Sequence, residues 1–411
     1  MGVIYSSSRI TIIAAVGQDG ADANYGLPGI TNDFQAPSSC AVSDRIRLVC
    51  TKWTMSIADS IVRSPWYSRG WTYQEGYLSM RRMYFTDVGV EYICDDARHS
   101  ETAIRIRASL REPNWASTRS DYIPQMMHVY TGRHLTHDHD ALNAIIGALG
   151  TREAHDHIWG VSCHKNSFGM WIDLHWRHQS PVPRRRQFPS WSPVGWRGQV
   201  DYRGRSSVAV STECSLEVWR DDRYQPIAQV YDRLSQQHYL SGAEESRFLK
   251  VTTKILMLEF VYLRGELRQA RRGLHARISY SESLDLFVLA SWDIEDNITI
   301  NPITGKIELP CAVIVRKTDA GIEEHSDQRF EDEIQVLILQ QHETYYERIG
   351  CFSWNEHDDD EFEKDNVRLD FANRYALNKE GVIVPPSGEW REQGDGRYWL
   401  KDGVETTFLL G

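Results

Sequence analysis

Hydrophobic residues along the chain fall into three successive patterns. Near the start, Ile10 to Ala15 (ITIIAA) forms a nearly unbroken β-branched apolar run, which predicts a strand buried on both faces. Gly17, Gly20, Gly26 and Gly29, with Pro28, then interrupt regular structure. From Trp53 the apolar positions recur at Ile57 and Ile61, four apart, as in a helix that Pro65 should end. A second short helix is expected from about Ser68 or Gly70, carrying Trp71, Gln74, Glu75 and Leu78. MYFTDVGVEYIC follows as a hairpin, with Asp87-Val88-Gly89 at the turn and Val90, Tyr92 and Cys94 on one face.

Residues 95–135 have no clear period and suggest a linker with helical surface. Leu142, Ile145, Ile146 and Leu149 then match i, i+3, i+4 and i+7, which predicts a helix ending at Gly150 and capped at its start by Thr136 or Asp138. Between Trp159 and Trp196, five tryptophans crowd among Pro181, Pro183, Pro189 and Pro193. Their large apolar area favours burial in gaps of a core over an exposed aromatic platform. Beyond residue 205 the pattern becomes strand-like: SVAVSTECSLEVW, LDLFVLASW, LPCAVIVR and EIQVLILQQ are β-prone runs between polar segments. In the last, Ile334, Val336 and Ile338 alternate with Leu337 and Leu339, so a central strand with two covered faces is expected. The implied organisation is an α/β region at 1–95, a helical and Trp/Pro-rich connecting region at 96–204, and a β-rich domain at 205–411.

Composition narrows the class. With 411 residues, 41% hydrophobic and 25% charged, the chain has enough apolar material for two or three packed domains. A formal charge of −11 argues against a general polyanion binder. Seven scattered cysteines without a Cys-x-x-Cys pair give neither a disulfide framework nor structural zinc. No stretch has the roughly 20 apolar residues of a membrane span, and the N-terminal run is too short and poorly flanked for a secretion signal. A cytoplasmic protein is the expectation, with Met1 inside a truncated domain start.

Motifs for chemistry are sparse. The glycines after the first strand make neither G-x-G-x-x-G nor a Walker loop, and no G-x-S-x-G elbow occurs. His134, His137 and His139 precede the 142–149 helix and His155, His157 and His164 follow it. Zinc could be held there with Asp138 or Asp140, although polar surface loops explain the same residues. Arg184-Arg185-Arg186, near Trp191 and Trp196, is either a small single-stranded nucleic-acid contact or a partner for acid elsewhere. The run EHDDDEFE at 356–363 is most simply a solvated loop. The densest constellation is Arg69, Trp71, Gln74 and Glu75. Trp71, Glu75 and Leu78 share a helical face, and Arg69 is close enough to grip the Glu75 carboxylate and fix the helix against the hairpin.

Two stretches, IYSSSRITIIAAVGQDGADANYGLPGI and RSPWYSRGWTYQEGYLSMRRMYFTDVGVEYIC, resemble the later blocks of the fungal heterokaryon-incompatibility (HET) domain. Arg69-Gly70-Trp71-Thr72-Tyr73-Gln74-Glu75 keeps the family spacing Arg-x-Trp-x-x-Gln-Glu, with Gly70 at the variable position. HDALNAIIGAL (139–149) and FPSWSPVGWRG (188–198) are similar to downstream segments. In the latter, Pro193 and Val194 replace the usual tryptophan and alanine. The earlier family blocks, with a Trp-Gly pair and Cys-Ile-Asp-Gln, are missing. The resemblance therefore implies the second half of a three-layer α/β domain related to the Toll/interleukin-1 receptor (TIR) fold, packed on the downstream regions.

For function, the resemblance implies self/non-self recognition leading toward growth arrest or cell death. Protein association or self-association would carry it, with no cofactor, no nucleic acid and no membrane span. The alternative it implies is a TIR-like glycosidase cleaving NAD as substrate, with Glu75 stabilising ribosyl charge and Trp71 stacking on a ring. An enzyme of unrelated chemistry, with a pocket between the domains, is a third possibility.

Overall fold

The computed structural model describes residues 2–16, 27, 38–43, 46–50, 57–94, 97–100, 123–149, 157–166, 169–202, 209–210, 214–230, 244–263, 273–279, 284–289, 291–292, 306–317, 333–355, 374–378, 383–384 and 400–411. The chain divides into two compact units, Met1–His155 and Asp156–Gly411. It is mixed α/β, with helices and short strands in the first unit and an extensive sheet in the second.

In the first unit, helix α1 (Gly2–Ser7) leads into β1 (Thr11–Ala15); β2 (Ser38–Ser43) and β3 (Ile46–Cys50) form a separate hairpin. Helices α2 (Ile57–Arg63), α3 (Pro65–Ser68) and α4 (Trp71–Leu78) follow, then β4 (Arg81–Thr86), β5 (Gly89–Cys94) and β6 (Arg98–Ser100). Helix α5 (Ile123–Thr131), a 3-10 turn (Asp138–Asp140) and α6 (Asn143–Leu149) complete it.

Pro65 both ends α2 and begins α3, at the first helical position where its missing N–H costs nothing. Ser64 Oγ caps that turn by accepting from the Tyr67 N–H at 3.2 Å. The expected hairpin forms, with Thr86 opposite Gly89 and Gly89 at φ 149°, outside the usual range for a side-chain-bearing residue. The expected 142–149 helix also forms, one residue shorter at its start, where the 3-10 turn intervenes.

The main sheet runs β1–β4–β5–β6. β1 lies parallel to β4, as the long helical crossover between them allows, and the hairpin continues antiparallel. Only one face of β1 is covered. Ile13 and Ala15 pack with Ile57, Ala58 and Ile61 of α2 and with Tyr84 and Ile93, whereas Ile12 on the other face is 59% exposed. The expectation of burial on both faces therefore fails at β1: helices α2 and α3 cover one side, and continuous apolar sequence does not by itself supply a second layer.

The second unit opens with a small sheet of β7 (His157–Ile158), β8 (Val161–Asn166) and β9 (Gly169–Ile172), and a pair β10 (Trp176–His178) and β11 (Val200–Tyr202). The large sheet comprises β12 (Ala209–Val210), β13 (Ser215–Arg220), β14 (Arg223–Pro226), β15 (Leu249–Leu263), β16 (Gly273–Ser279), β17 (Leu284–Leu289), β18 (Ser291–Trp292), β19 (Lys306–Lys317), β20 (Glu333–Gln341), β21 (Tyr346–Asn355), β22 (Arg374–Asn378), β23 (Ile383–Val384) and β24 (Val404–Leu410).

Its pairings close on themselves. β15 pairs with β19, β19 with β20, β20 with β21, β21 with β24 through Tyr346 and Leu410, and β24 with β15 again. The fifteen-residue β15 makes this closure possible by changing partners midway. Leu249 to Ile255 face β24, and Ile255 to Val261 face β19. Its buried positions switch phase at the same place, from Leu249, Val251 and Thr253 to Leu256, Leu258 and Phe260. Leu249, Val251, Ala312, Ile314, Leu337, Leu339, Phe408 and Leu410 form one apolar cluster. β20 lies between β19 and β21 with Ile334 to Leu339 all buried, as its two apolar faces predict.

Candidate functional site

The Arg69–Glu75 block lies at the start of α4, where three other segments of the first unit meet it. Each motif side chain has a different neighbour. The Trp71 indole Nε1–H donates to Asp140 Oδ2 at 3.2 Å, in the 3-10 turn before α6. Gln74, almost fully buried, donates from Nε2 to the Asn143 carbonyl at 3.5 Å. Its Oε1 lies so near Gly147 that a Cβ there would come within 2.5 Å, so the Gln74 side chain sits against the backbone of α6 and would have to shift for any larger residue.

Glu75 is half-buried and takes the hydroxyl of Tyr5 from α1. Burial, followed by the Glu75 charge and this hydrogen bond, pushes the Tyr5 phenol above its ordinary value. The backbone carbonyl of Glu75 accepts from Ser79 Oγ at 2.6 Å, and Ser79 Oγ shares a 2.7 Å hydrogen bond with Thr11 Oγ1 at the head of β1.

Arg69 does not pair with Glu75. It is exposed, and its backbone forms an isolated parallel bridge with His134. The inward cation is Arg133, which the sequence reading did not single out. Its guanidinium lies 4.2 Å from the Tyr67 ring centroid and 5.0 Å from that of Tyr73, and Nη1 donates to Thr72 Oγ1 at 3.2 Å. Burial pulls its pKa below the usual arginine value, with Tyr67 and Tyr73 opposing that shift. Helix-to-hairpin fixation falls to Arg82, buried on β4, whose Nη1 donates to the Gly76 carbonyl at 3.1 Å.

No local signal marks Tyr5 or Arg133 as partners of the motif, because each reaches it from another part of the chain. Asp140 had one signal, an acid at the entry to a strongly periodic helix, and its carboxylate accepts from Trp71. Helix α4 is thus held on several sides: by α1 through Tyr5 and Glu75, by the 3-10 turn and α6 through Trp71 and Gln74, and by Arg133 through Thr72.

The other sequence candidates are dispersed. His137 and His139 stack with centroids 5.4 Å apart, and His139 Nε2 lies 3.5 Å from Asp140 Oδ1. His157 belongs to the second unit, where its Nδ1 accepts from the Gly160 N–H at 3.3 Å. His155, the side chain of His164 and the acidic run 356–363 lie outside the described residues. Among the described residues no group of three or more His, Cys, Asp or Glu converges as a metal site.

Arg184 and Arg185 point inward. Arg184 Nη1 donates to the carbonyls of Arg185 at 2.6 Å and Gly195 at 2.8 Å, and its Nη2 to that of Phe188 at 2.7 Å. Arg185 donates to the Val194 and Trp196 carbonyls, leaving Arg186 exposed. The rings around them are core: Trp176, Trp191 and Trp196 are fully buried, with indole N–H groups on the carbonyls of Trp191, Arg247 and Ser190. Among the described residues no helix is long and apolar enough to cross a membrane.

A family model for the heterokaryon incompatibility protein (HET) matches residues 1–75 of the 411-residue chain, the stretch that runs from α1 through β1 to Glu75. No curated protein matches the chain, and no solved structure does.

Proposed function

We propose that this protein serves fungal self/non-self recognition, acting in the cytoplasm through association with a protein partner or with itself, and without a turnover chemistry of its own. In this reading residues 1–95 are the second half of a TIR-like HET domain, 96–204 connect it, and 205–411 sense a partner or restrain the assembly. The HET match over residues 1–75 supports the family role.

The observation that carries the non-enzymatic part is the engagement of the motif. Trp71 is tied to Asp140, Gln74 to Asn143 and Glu75 to Tyr5, so the side chains that would hold a ribosyl group are already holding helices together. In a glycosidase the Glu75 carboxylate would be turned toward developing positive charge, whereas here it accepts from the Tyr5 hydroxyl.

The test is to incubate the full chain with NAD over a range of protein concentrations and measure released nicotinamide. No release is expected at any concentration. Release that disappears in a folded Glu75→Gln variant would replace this reading with the NAD-cleaving one.

A further inference from the structure

Three guanidinium groups gather in the second unit, on Arg184, Arg186 and Arg247. Arg247 Nη2 donates to the Arg186 carbonyl at 2.6 Å, which ties the 3-10 turn Glu244–Arg247 to the arginine run. The indole of the fully buried Trp191 donates to the Arg247 carbonyl at 3.1 Å, so the backbone that carries this cation is itself fixed to the core. Burial pulls the Arg184 pKa down; Glu347 opposes that shift, and the charges of Arg247 and Arg186 deepen it. Like charges held together repel, and in a chain of net charge −11 such a grouping is a local exception.

The chain answers this charge only in part. Glu347 lies 3.7 Å from Arg184 and shares its carboxylate with His342 Nε2 at 3.1 Å. Among the described residues no other carboxylate pairs with the three arginines. The Nε–H groups of Arg184 and Arg247 are buried donors with no hydrogen-bond partner among the described residues, and the Arg184 side chain is only 9% exposed. Buried donors without an acceptor are costly. Arg186 is exposed and Arg247 half-buried, so a solute can reach the group.

We propose that Arg186 and Arg247, backed by Arg184, form a binding site for a phosphate group. Charge selects the ligand. Three guanidiniums against one carboxylate leave an excess of two positive charges, which suits a phosphate near its dianionic form better than a single carboxylate. Planar guanidinium forks also match phosphate oxygens in geometry. The run Arg184-Arg185-Arg186 thus divides its labour: the first two side chains hold carbonyls of their own segment, and the third is left for a ligand. This goes beyond the association reading above. It concerns the second unit, and the NAD experiment on Glu75 decides nothing about it.

Isothermal titration of the full chain with pyrophosphate at fixed ionic strength tests this. One saturable site per chain is expected, with inorganic phosphate weaker and acetate giving no saturation. Arg186→Gln and Arg247→Gln should each weaken pyrophosphate by at least about tenfold. Arg223→Gln, at an exposed position of β14 in the same unit, should leave binding unchanged. Arg186 is exposed, so its variant should keep the wild-type urea midpoint, which separates lost binding from a lost fold. A neutral peptide carrying one phosphoserine distinguishes the two sources of such a group: competition with pyrophosphate places it on a protein, and no competition places it on a small molecule. Absence of saturable binding overturns the proposal, as it would if a carboxylate such as that of Glu244 or Glu245 already filled the gap. Binding that both Arg186→Gln and Arg247→Gln retain also overturns it and marks an adventitious ion only.

Discussion

Arg184 and Gly195 close the Trp/Pro-rich segment of the second unit upon itself: the guanidinium Nη1 of Arg184 donates to the Gly195 carbonyl at 2.8 Å. The same side chain holds two further carbonyls and lies 5.2 Å from the Trp196 ring centroid. Burial pulls its pKa down to about 10, and Glu347 at 3.7 Å offsets part of that. A planar fork suits three carbonyl acceptors, whereas an ammonium reaches fewer of them. Arg184→Lys should therefore cost about 2–3 kcal/mol in urea denaturation, while Arg186→Ala, at an exposed position, should stay within about 0.5 kcal/mol. Equal losses would contradict the clamp.

Gly147 gives a test whose sign is inverted from the usual one. Replacing a helical glycine by alanine ordinarily stabilises by about 1 kcal/mol. Here the new Cβ would meet Gln74 Oε1 at 2.5 Å and Leu78 at 3.5 Å. Gly147→Ala should destabilise in the wild-type background by about 1 kcal/mol and should stabilise once Gln74→Ala has removed the obstruction. A stabilising Gly147→Ala in the wild type would show that the Gln74 side chain yields to the new Cβ at little cost.

Alkaline pH should weaken the fold through Cys311. The thiol is wholly buried on β19, and burial pushes its pKa far above the ordinary 9.0. The folded state keeps its proton where the unfolded thiol releases one. The contribution to stability is thus complete below pH 9 and declines as pH rises above it. Between pH 9 and 10 this amounts to about 1 kcal/mol. Above pH 10 Tyr73, also raised by burial, adds to the decline, while Arg184 acts in the opposite sense. The urea midpoint of Cys311→Ala should fall less steeply across pH 9–10 than that of the wild type. Parallel slopes would remove Cys311 as the cause.

Local pattern predicted what local physics controls. The two apolar faces of EIQVLILQQ pointed to a strand covered on both sides, and Ile334 to Leu339 of β20 are all buried. The turn at Asp87-Val88-Gly89 and the period of Leu142 to Leu149 were likewise visible because each is set within a dozen residues. β15 escaped notice for the reason that makes it useful: its burial changes phase where it exchanges β24 for β19, so no single alternation spans it. ITIIAA announced a strand but not how many faces would be covered, since that depends on helices elsewhere in the chain. In the Arg69–Glu75 block, spacing gave the shared helical face. It could not give Tyr5, Asp140 or Arg133 as the neighbours, and proximity in sequence wrongly suggested Arg69 for Glu75.

The most direct test of the motif as a joint between helices is a double-mutant cycle on Trp71 and Asp140. Trp71→Phe keeps the ring and removes the N–H, Asp140→Ala removes the acceptor, and urea denaturation of both singles and the double gives their coupling. A half-buried hydrogen bond to a carboxylate should show a coupling of about 1–2 kcal/mol. Losses that add within about 0.3 kcal/mol would mean that the two side chains are independent, and that Trp71 is not committed to holding the fold.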